Sequence, residues 1–341
     1  MLKIMAAEIK PICGLDRIKL SEVVPLKTPF TLFVFPTTFC NFKCNYCGHS
    51  LGFEKMKEKY NFEPETMSLE TYKRVIEQFK EFPNKLKMLS LTGHGEPLIN
   101  INLPQMIKIA KEADIAERIE IITNASLLTN ETANALIDSG LDTIRISLQG
   151  LSTDKYNQVC GYNLDFNKFI SNIRYFYRNK KQCNVYVKIM DVALDEGEEK
   201  NFYNLFSDIS DRMYIEQCRP VYDGVKYSDK ATVVADRYGR VHEKREVCPL
   251  PFFMLGVFPN GDVEPCDTIY KPVLLGNVYD NTLLNMWNGK KLREFQILHL
   301  KKQRCDNNRC AVCCAPDDVS HPEDNLDDAA EKIINRLKCN Y

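Results

Sequence analysis

The stretch Phe30-Thr31-Leu32-Phe33-Val34-Phe35 runs on to Phe39-Cys40-Asn41-Phe42-Lys43-Cys44-Asn45-Tyr46-Cys47. The first segment is apolar and rich in aromatic and β-branched residues, as a buried strand is. The second sets three cysteines in a C-x3-C-x2-C spacing. Three thiolates this close suit a small soft-metal cluster, whereas a four-iron cluster normally takes four protein ligands. A cluster here would leave one iron without a thiolate from the loop. An open coordination position is where a metal site does chemistry. A zinc site with His49 as fourth ligand is the competing reading.

From this strand onward, strand-like and helix-like segments alternate to about residue 221. Strands are predicted at 29–37, 86–92, 118–123, 143–149, 184–192 and 212–219. Helices are predicted near 68–82, 102–114, 130–139, 165–181 and 197–209. Ser68 and Asn130 read as helix starts, and Gly140 as a helix stop. Six strands with intervening helices imply a parallel sheet with right-handed crossovers. Sites in such sheets gather at the carboxyl ends of the strands, which is where the cysteine loop falls. The charged stretch 48–67 reads as surface or as a lid.

The 341 residues, 44% of them hydrophobic, suffice for one large domain or a large and a small one. A net charge of −1 offers no basic field for nucleic acid. Residues 1–5 lack a signal-peptide core, and no apolar run approaches the roughly 20 residues of a membrane helix. A cytoplasmic protein with no membrane partner is the expectation. Fourteen cysteines in a reducing compartment then point to metal before disulfide.

The cysteine loop, with Tyr46 just before its last cysteine, resembles the cluster loop of radical S-adenosylmethionine (SAM) enzymes. The second strand ends Gly93-His94-Gly95-Glu96-Pro97, similar to that family's G-G-E-P motif with His94 in place of the first glycine. Glycine permits close backbone approach to a ligand, and the Glu96 carboxylate would complement an ammonium group. His94 is open to a role toward substrate or a structural one. The third strand ends Thr123-Asn124-Ala125, resembling a T-N-G turn, and the fourth ends Ser147-Leu148-Gln149-Gly150, resembling S-[LI]-[DQ]-G. The resemblance covers residues 30–220. It implies a partial (βα)6 TIM-like barrel and a [4Fe-4S] cluster on Cys40, Cys44 and Cys47 whose open iron binds SAM. It also implies SAM contacts from Tyr46, Gly95, Glu96, Asn124, Ser147, Gln149 and Lys188.

A second cysteine group follows: Cys248, Cys266, Cys305, Cys310, Cys313 and Cys314. Between the first two, Phe258-Pro259-Asn260-Gly261-Asp262-Val263 reads as a hairpin around an Asn-Gly turn. The hairpin brings its flanking cysteines together, and Cys310-x2-Cys313 completes a four-thiolate set suited to zinc or to iron–sulfur. The pattern resembles the auxiliary-cluster domains called SPASM and, in shortened form, twitch. The further cysteine of full SPASM is replaced by Val319. One auxiliary [4Fe-4S] cluster on Cys248, Cys266, Cys310 and Cys313 is implied, with Cys305 and Cys314 as competing ligands. With no open iron, it would pass electrons.

The expected organisation is an α/β protein: an N-terminal extension (1–29), a radical SAM partial barrel (30–235), a small cysteine-rich auxiliary-cluster domain (236–320) and a C-terminal helix (321–341). The layout is similar to that of twitch-type inosamine dehydrogenases. It implies an oxidoreductase acting on a small carbohydrate- or cyclitol-like molecule, reduced by a donor such as flavodoxin or ferredoxin. Three alternatives stay open. Cys218, beside Arg219 at the end of the sixth strand, would donate a hydrogen atom in an epimerase. A peptide-modifying SPASM enzyme would need a docking extension, for which residues 1–29 leave no room. A zinc-bound interaction module would not be an enzyme.

Overall fold

The computed structural model describes residues 7–12, 17–232, 234–318 and 321–339. Val319 and the last two residues of the expected C-terminal helix lie outside them. The strands are β1 (Glu8–Ile9), β2 (Thr31–Val34), β3 (Met88–Leu91), β4 (Ile119–Thr123), β5 (Thr143–Leu148), β6 (Asn184–Met190), β7 (Arg212–Glu216), β8 (Met254–Val257), β9 (Asp262–Glu264) and β10 (Gly276–Asn277). They form one sheet in the order β1-β7-β6-β5-β4-β3-β2-β8-β9-β10.

The six expected strands are β2 to β7, paired in parallel in sequence order. The apolar residues of one face, Leu32, Val34, Leu89, Leu91, Ile121, Ile144 and Ile146, share that face by register and are all inaccessible, as a sheet face covered by helices requires. The helix Leu69–Phe79 shows the matching period, burying Tyr72, Val75, Ile76 and Phe79. Its cap is Ser68, which accepts from the Thr71 amide at 3.0 Å. The helix Asn130–Asp138 starts where expected, but its cap is Thr129 rather than Asn130, accepting from the Thr132 amide.

Between β2 and β7, two α-helices were not foreseen. Phe53–Tyr60 lies in the stretch read as surface, and it buries Met56 and Tyr60. Thr153–Cys160 lies between β5 and the helix Phe166–Asn179. Both are short, and their charged and polar residues mask the period in the sequence.

The expected hairpin is β8–β9, closed by the Gly261 amide donating to Phe258 O at 2.9 Å with Gly261 at φ +89°. It extends the barrel sheet. β8 pairs in parallel with β2, Thr31 opposite Met254 through Val34 opposite Val257. This covers the open edge of β2, and all of β8 is buried. At Gly256 a Cβ would come within 2.7 Å of Cys266 O, so glycine there lets the cysteine-bearing backbone approach the sheet. The helix Ala330–Cys339 closes a second core, in which Ile333 and Leu337 join Leu20, Val247, Phe252 and Leu300.

Candidate metal centres

The amino-terminal cysteine loop leaves β2 at its carboxyl end and is braced from several sides. Thr37 Oγ1 and Thr38 Oγ1 donate to Glu65 O at 3.0 Å and Glu63 O at 2.7 Å. The Lys43 and Asn45 amides donate to Cys160 O and Val159 O at 3.0 and 2.9 Å. Gly95 sits where a Cβ would lie 2.5 Å from Phe39 O and 2.6 Å from Thr37 O. No side chain fits, so Gly95 lets the G-H-G-E-P turn press against the lead into the loop. Gly93, at φ +148°, leaves room for the Phe35 ring, which a Cβ would strike at 1.8 Å.

Glu96 is buried. Its carboxylate accepts from Thr123 Oγ1, from the Asn124 amide at 2.7 Å and from the Leu98 amide at 3.0 Å. It therefore ties the ends of β3 and β4 together. Burial raises its pKa to about 7 against the pull of those three donors. Asn124 reaches the cysteine loop, donating from Nδ2 to Asn41 Oδ1 at 3.0 Å. Ala125, where the family turn has glycine, takes φ +55°. Lys188 places its Nζ 2.8 Å from Glu216, with both side chains buried. Arg237 and Arg145 complete that ionic cluster at 3.6 and 4.0 Å from Glu216. The charges of Lys188, Arg237 and Arg145 overcome burial and hold Glu216 down at about 2.

Polar atoms at the mouth are left without partners. Tyr46 Oη, Asn45 Oδ1 and Gln149 Oε1 are buried without a hydrogen bond, and Tyr46 and Gln149 are neighbours. Unpaired buried polar atoms are costly, so this corner fits a polar ligand such as SAM. Ser147 is half-buried in register with Lys188. Cys218 lies within electrostatic range of Cys47 and Tyr46, and burial first, then Asp191, pushes its thiol up to about 12. Its neighbour Arg219 donates to the carbonyls of Thr232 and Ala235 at 2.8 and 2.7 Å and so anchors the connecting stretch.

Two site residues escaped the sequence reading. Cys160 carries its thiol to hydrogen-bonding reach of Cys44, a meeting created by the unforeseen helix. Tyr222 places its hydroxyl by the Cys47 thiol and 3.5 Å from His94 Nδ1. His94 Nε2 lies 2.9 Å from Asp267 O, next to Cys266, and His49 Nε2 lies 2.6 Å from His94 O. His49 is thus engaged by the turn and does not complete a zinc set. Only the G-x-G-E-P context marked His94 in advance.

Cys248, Cys266, Cys310 and Cys313 line one cavity together with His299, Arg304 and Arg309. Cys305 is exposed, and neither it nor Cys314 lines the cavity. Burial raises all four lining thiols, to about 12 at Cys310 and about 11 at Cys313. Thiols crowded in a dry cavity hold their protons until a cation replaces them, so the donor set fits a metal cluster. Among the described residues no three His, Cys, Asp or Glu side chains converge closely enough for a single metal ion. No helix there is long and apolar enough to cross a membrane.

Fold and donor sets define an iron–sulfur protein on a partial (βα)6 barrel. Residues 34–200 match the radical SAM superfamily, and residues 248–315 match the SPASM iron–sulfur cluster-binding domain. The chain carries a radical SAM domain and, at its carboxyl-terminal side, a SPASM domain. These domains imply a SAM-binding [4Fe-4S] cluster, auxiliary clustering in the second domain, and SAM itself. A GTP 3′,8-cyclase of Staphylococcus haemolyticus is 31% identical over 141 residues, 41% of this chain and 39% of that protein. The chain thus matches well under half the length of that curated relative. BtrN in complex with AdoMet and 2-DOIA superposes with a TM-score of 0.53 at 19% identity, over 83% of this chain and 92% of BtrN. Streptococcus suis SuiB bound to precursor peptide SuiA gives a TM-score of 0.62 at 17% identity, over 89% of this chain and 78% of SuiB.

Proposed function

We propose that this protein is a radical SAM oxidoreductase that oxidises a carbinol of a small, polar, carbohydrate- or cyclitol-like molecule. The observation that carries the reading is the single cavity shared by Cys248, Cys266, Cys310 and Cys313. Four thiolates would leave the auxiliary cluster no open iron, which suits it to electron transfer rather than to substrate ligation. When bound, the Cys40–Cys44–Cys47 cluster and SAM supply a 5′-deoxyadenosyl radical. The chain's own residues do the rest. Gly95 and Thr38 set the path of the cysteine loop. Tyr46, Asn45 and Gln149 offer unpaired polar atoms to the cofactor or substrate. His94 joins the turn after β3 to the backbone beside Cys266, so the two cysteine groups sit on one braced frame. Likeness to BtrN supports the fold on which such chemistry runs, and the substrate class is carried over from the twitch-like layout.

The test is an anaerobic assay of reconstituted protein with SAM, a low-potential reductant and a panel of cyclitols, amino sugars and nucleotide sugars. A ketone formed together with 5′-deoxyadenosine supports the proposal. SAM cleavage that depends only on an added precursor peptide overturns it in favour of peptide modification. One second reading has an observation behind it. Cys218 lies near Cys47 and Tyr46, as a hydrogen-atom donor in an epimerase would. Solvent deuterium in an epimerised product, lost in Cys218→Ala, would establish it.

A further inference from the structure

Each of the four cysteine sulfurs that line the second cavity faces a hydrogen-bond donor of its own. Thr268 Oγ1 lies 3.4 Å from Cys266 Sγ, the Ala315 amide donates to Cys313 Sγ at 3.5 Å, and His299 Nε2 lies 3.8 Å from Cys310 Sγ. The Leu250 amide serves Cys248. His299 stands out among them. It is buried to 1% exposure on the helix Lys290–Leu300, and its ring packs edge-on to Phe295 at 4.5 Å. Its other nitrogen, Nδ1, is buried with no partner at all. A metal-bound thiolate has no proton to give, so the Nε2–H tautomer is the one that makes a bond here. Nothing else in the structure orients this imidazole toward a hydrogen bond. Arg304 and Arg309 line the same cavity, and no carboxylate does. Arg304 also fixes the loop, donating to Cys310 O at 2.7 Å and Cys313 O at 3.3 Å.

The geometry points to His299 as a positioning residue that sets the reduction potential of the auxiliary cluster through an N–H···S bond to Cys310. The inference rests on the auxiliary-cluster reading above. Hydrogen bonds to cluster sulfurs and nearby positive charge favour the reduced, more negative state. The cavity is thereby built to accept an electron. His299 is not a ligand: the four cysteines complete the set, and its role runs through Cys310.

The test is an EPR-monitored redox titration of the reconstituted full chain, comparing wild type with His299→Leu, His299→Gln and Thr268→Val. His299→Leu should lower the auxiliary potential by a tenfold shift in the one-electron equilibrium, about 59 mV. The potential of the SAM-binding cluster and the iron content should stay unchanged. His299→Gln, which keeps an N–H, should restore most of the difference, and Thr268→Val should lower the potential in the same direction. An unchanged auxiliary potential in His299→Leu overturns the inference, as does lost iron or a Gln variant as low as the Leu variant. A wild-type chain that binds only one cluster overturns the auxiliary reading itself, and its iron content alone reveals that case.

Discussion

His94 Nε2 lies 2.9 Å from the carbonyl oxygen of Asp267. One bond thus joins the turn after β3 to the residue following Cys266. The imidazole is half-buried beside the packed rings of Phe35 and Phe258, and burial lowers its pKa to about 4. It is a neutral donor across the whole working range. His94→Ala should remove that donor and leave the Asp267 carbonyl unpaired, at a cost of about 1–3 kcal/mol. Hydrogen exchange of residues 266–270 should rise more than that of β4 and β5. Equal protection of residues 266–270 in the variant and wild type would remove His94 as a strut.

Gly95 contacts backbone, and backbone does not move aside. Gly95→Ala would put a methyl carbon at 2.5–2.6 Å from the carbonyl oxygens of Phe39 and Thr37. The turn and the cysteine loop must then separate. Reconstituted Gly95→Ala should hold about four irons instead of about eight, keeping the second cluster and losing the first. A full complement of iron would show that the loop does not depend on this contact.

Replacing Cys40, Cys44 and Cys47 together with alanine should abolish 5′-deoxyadenosine formation and leave about four irons in the second cavity. Replacing Cys310 and Cys313 should do the reverse: SAM cleavage survives in part, while net substrate oxidation stops. Normal product yield from the second variant would count against an electron-accepting role. Zinc without sulfide in either cavity would return that site to the structural-metal reading.

Glu216 supplies a pH signature. Its folded pKa of about 2 lies below the ordinary value of 4.5, because the surrounding cations favour the ionised form. Its contribution is complete above pH 4.5 and disappears as pH falls toward 2. Glu216→Gln leaves Lys188 without its buried partner and should cost about 3–5 kcal/mol near neutrality. Chemical denaturation from pH 7 downward should show that gap shrinking below pH 4.5. A gap constant across the acid range would mean that the carboxylate is not the stabilising form.

The parallel strands were legible because β2 to β7 are short apolar runs separated by amphipathic helices, a pattern local to the chain. The hairpin was legible because Asn260-Gly261 suits the tight turn. The helix Thr153–Cys160 was not, since eight mostly polar residues give too few apolar positions to fix a period. With it went Cys160 and its meeting with Cys44. The side-chain partners of Glu96 and Lys188 were illegible for a different reason. A strand-end carboxylate or ammonium reads as a ligand-facing group until the neighbouring strands show which donors and acceptors crowd it.

Spacing alone told that three thiols would share one loop at a strand end and that Cys248 and Cys266 would flank a turn, because both groupings depend on contacts close along the chain; the joining of Cys310 and Cys313 to them came from the resemblance and is completed by the fold. Only the folded chain decided that the hairpin would add to the edge of β2, that His94 would reach across to Asp267, and that His299 would face Cys310. Those meetings join residues from 11 to 223 positions apart. Their cause is the burial of whole strands and helices, which no short stretch of residues encodes by itself.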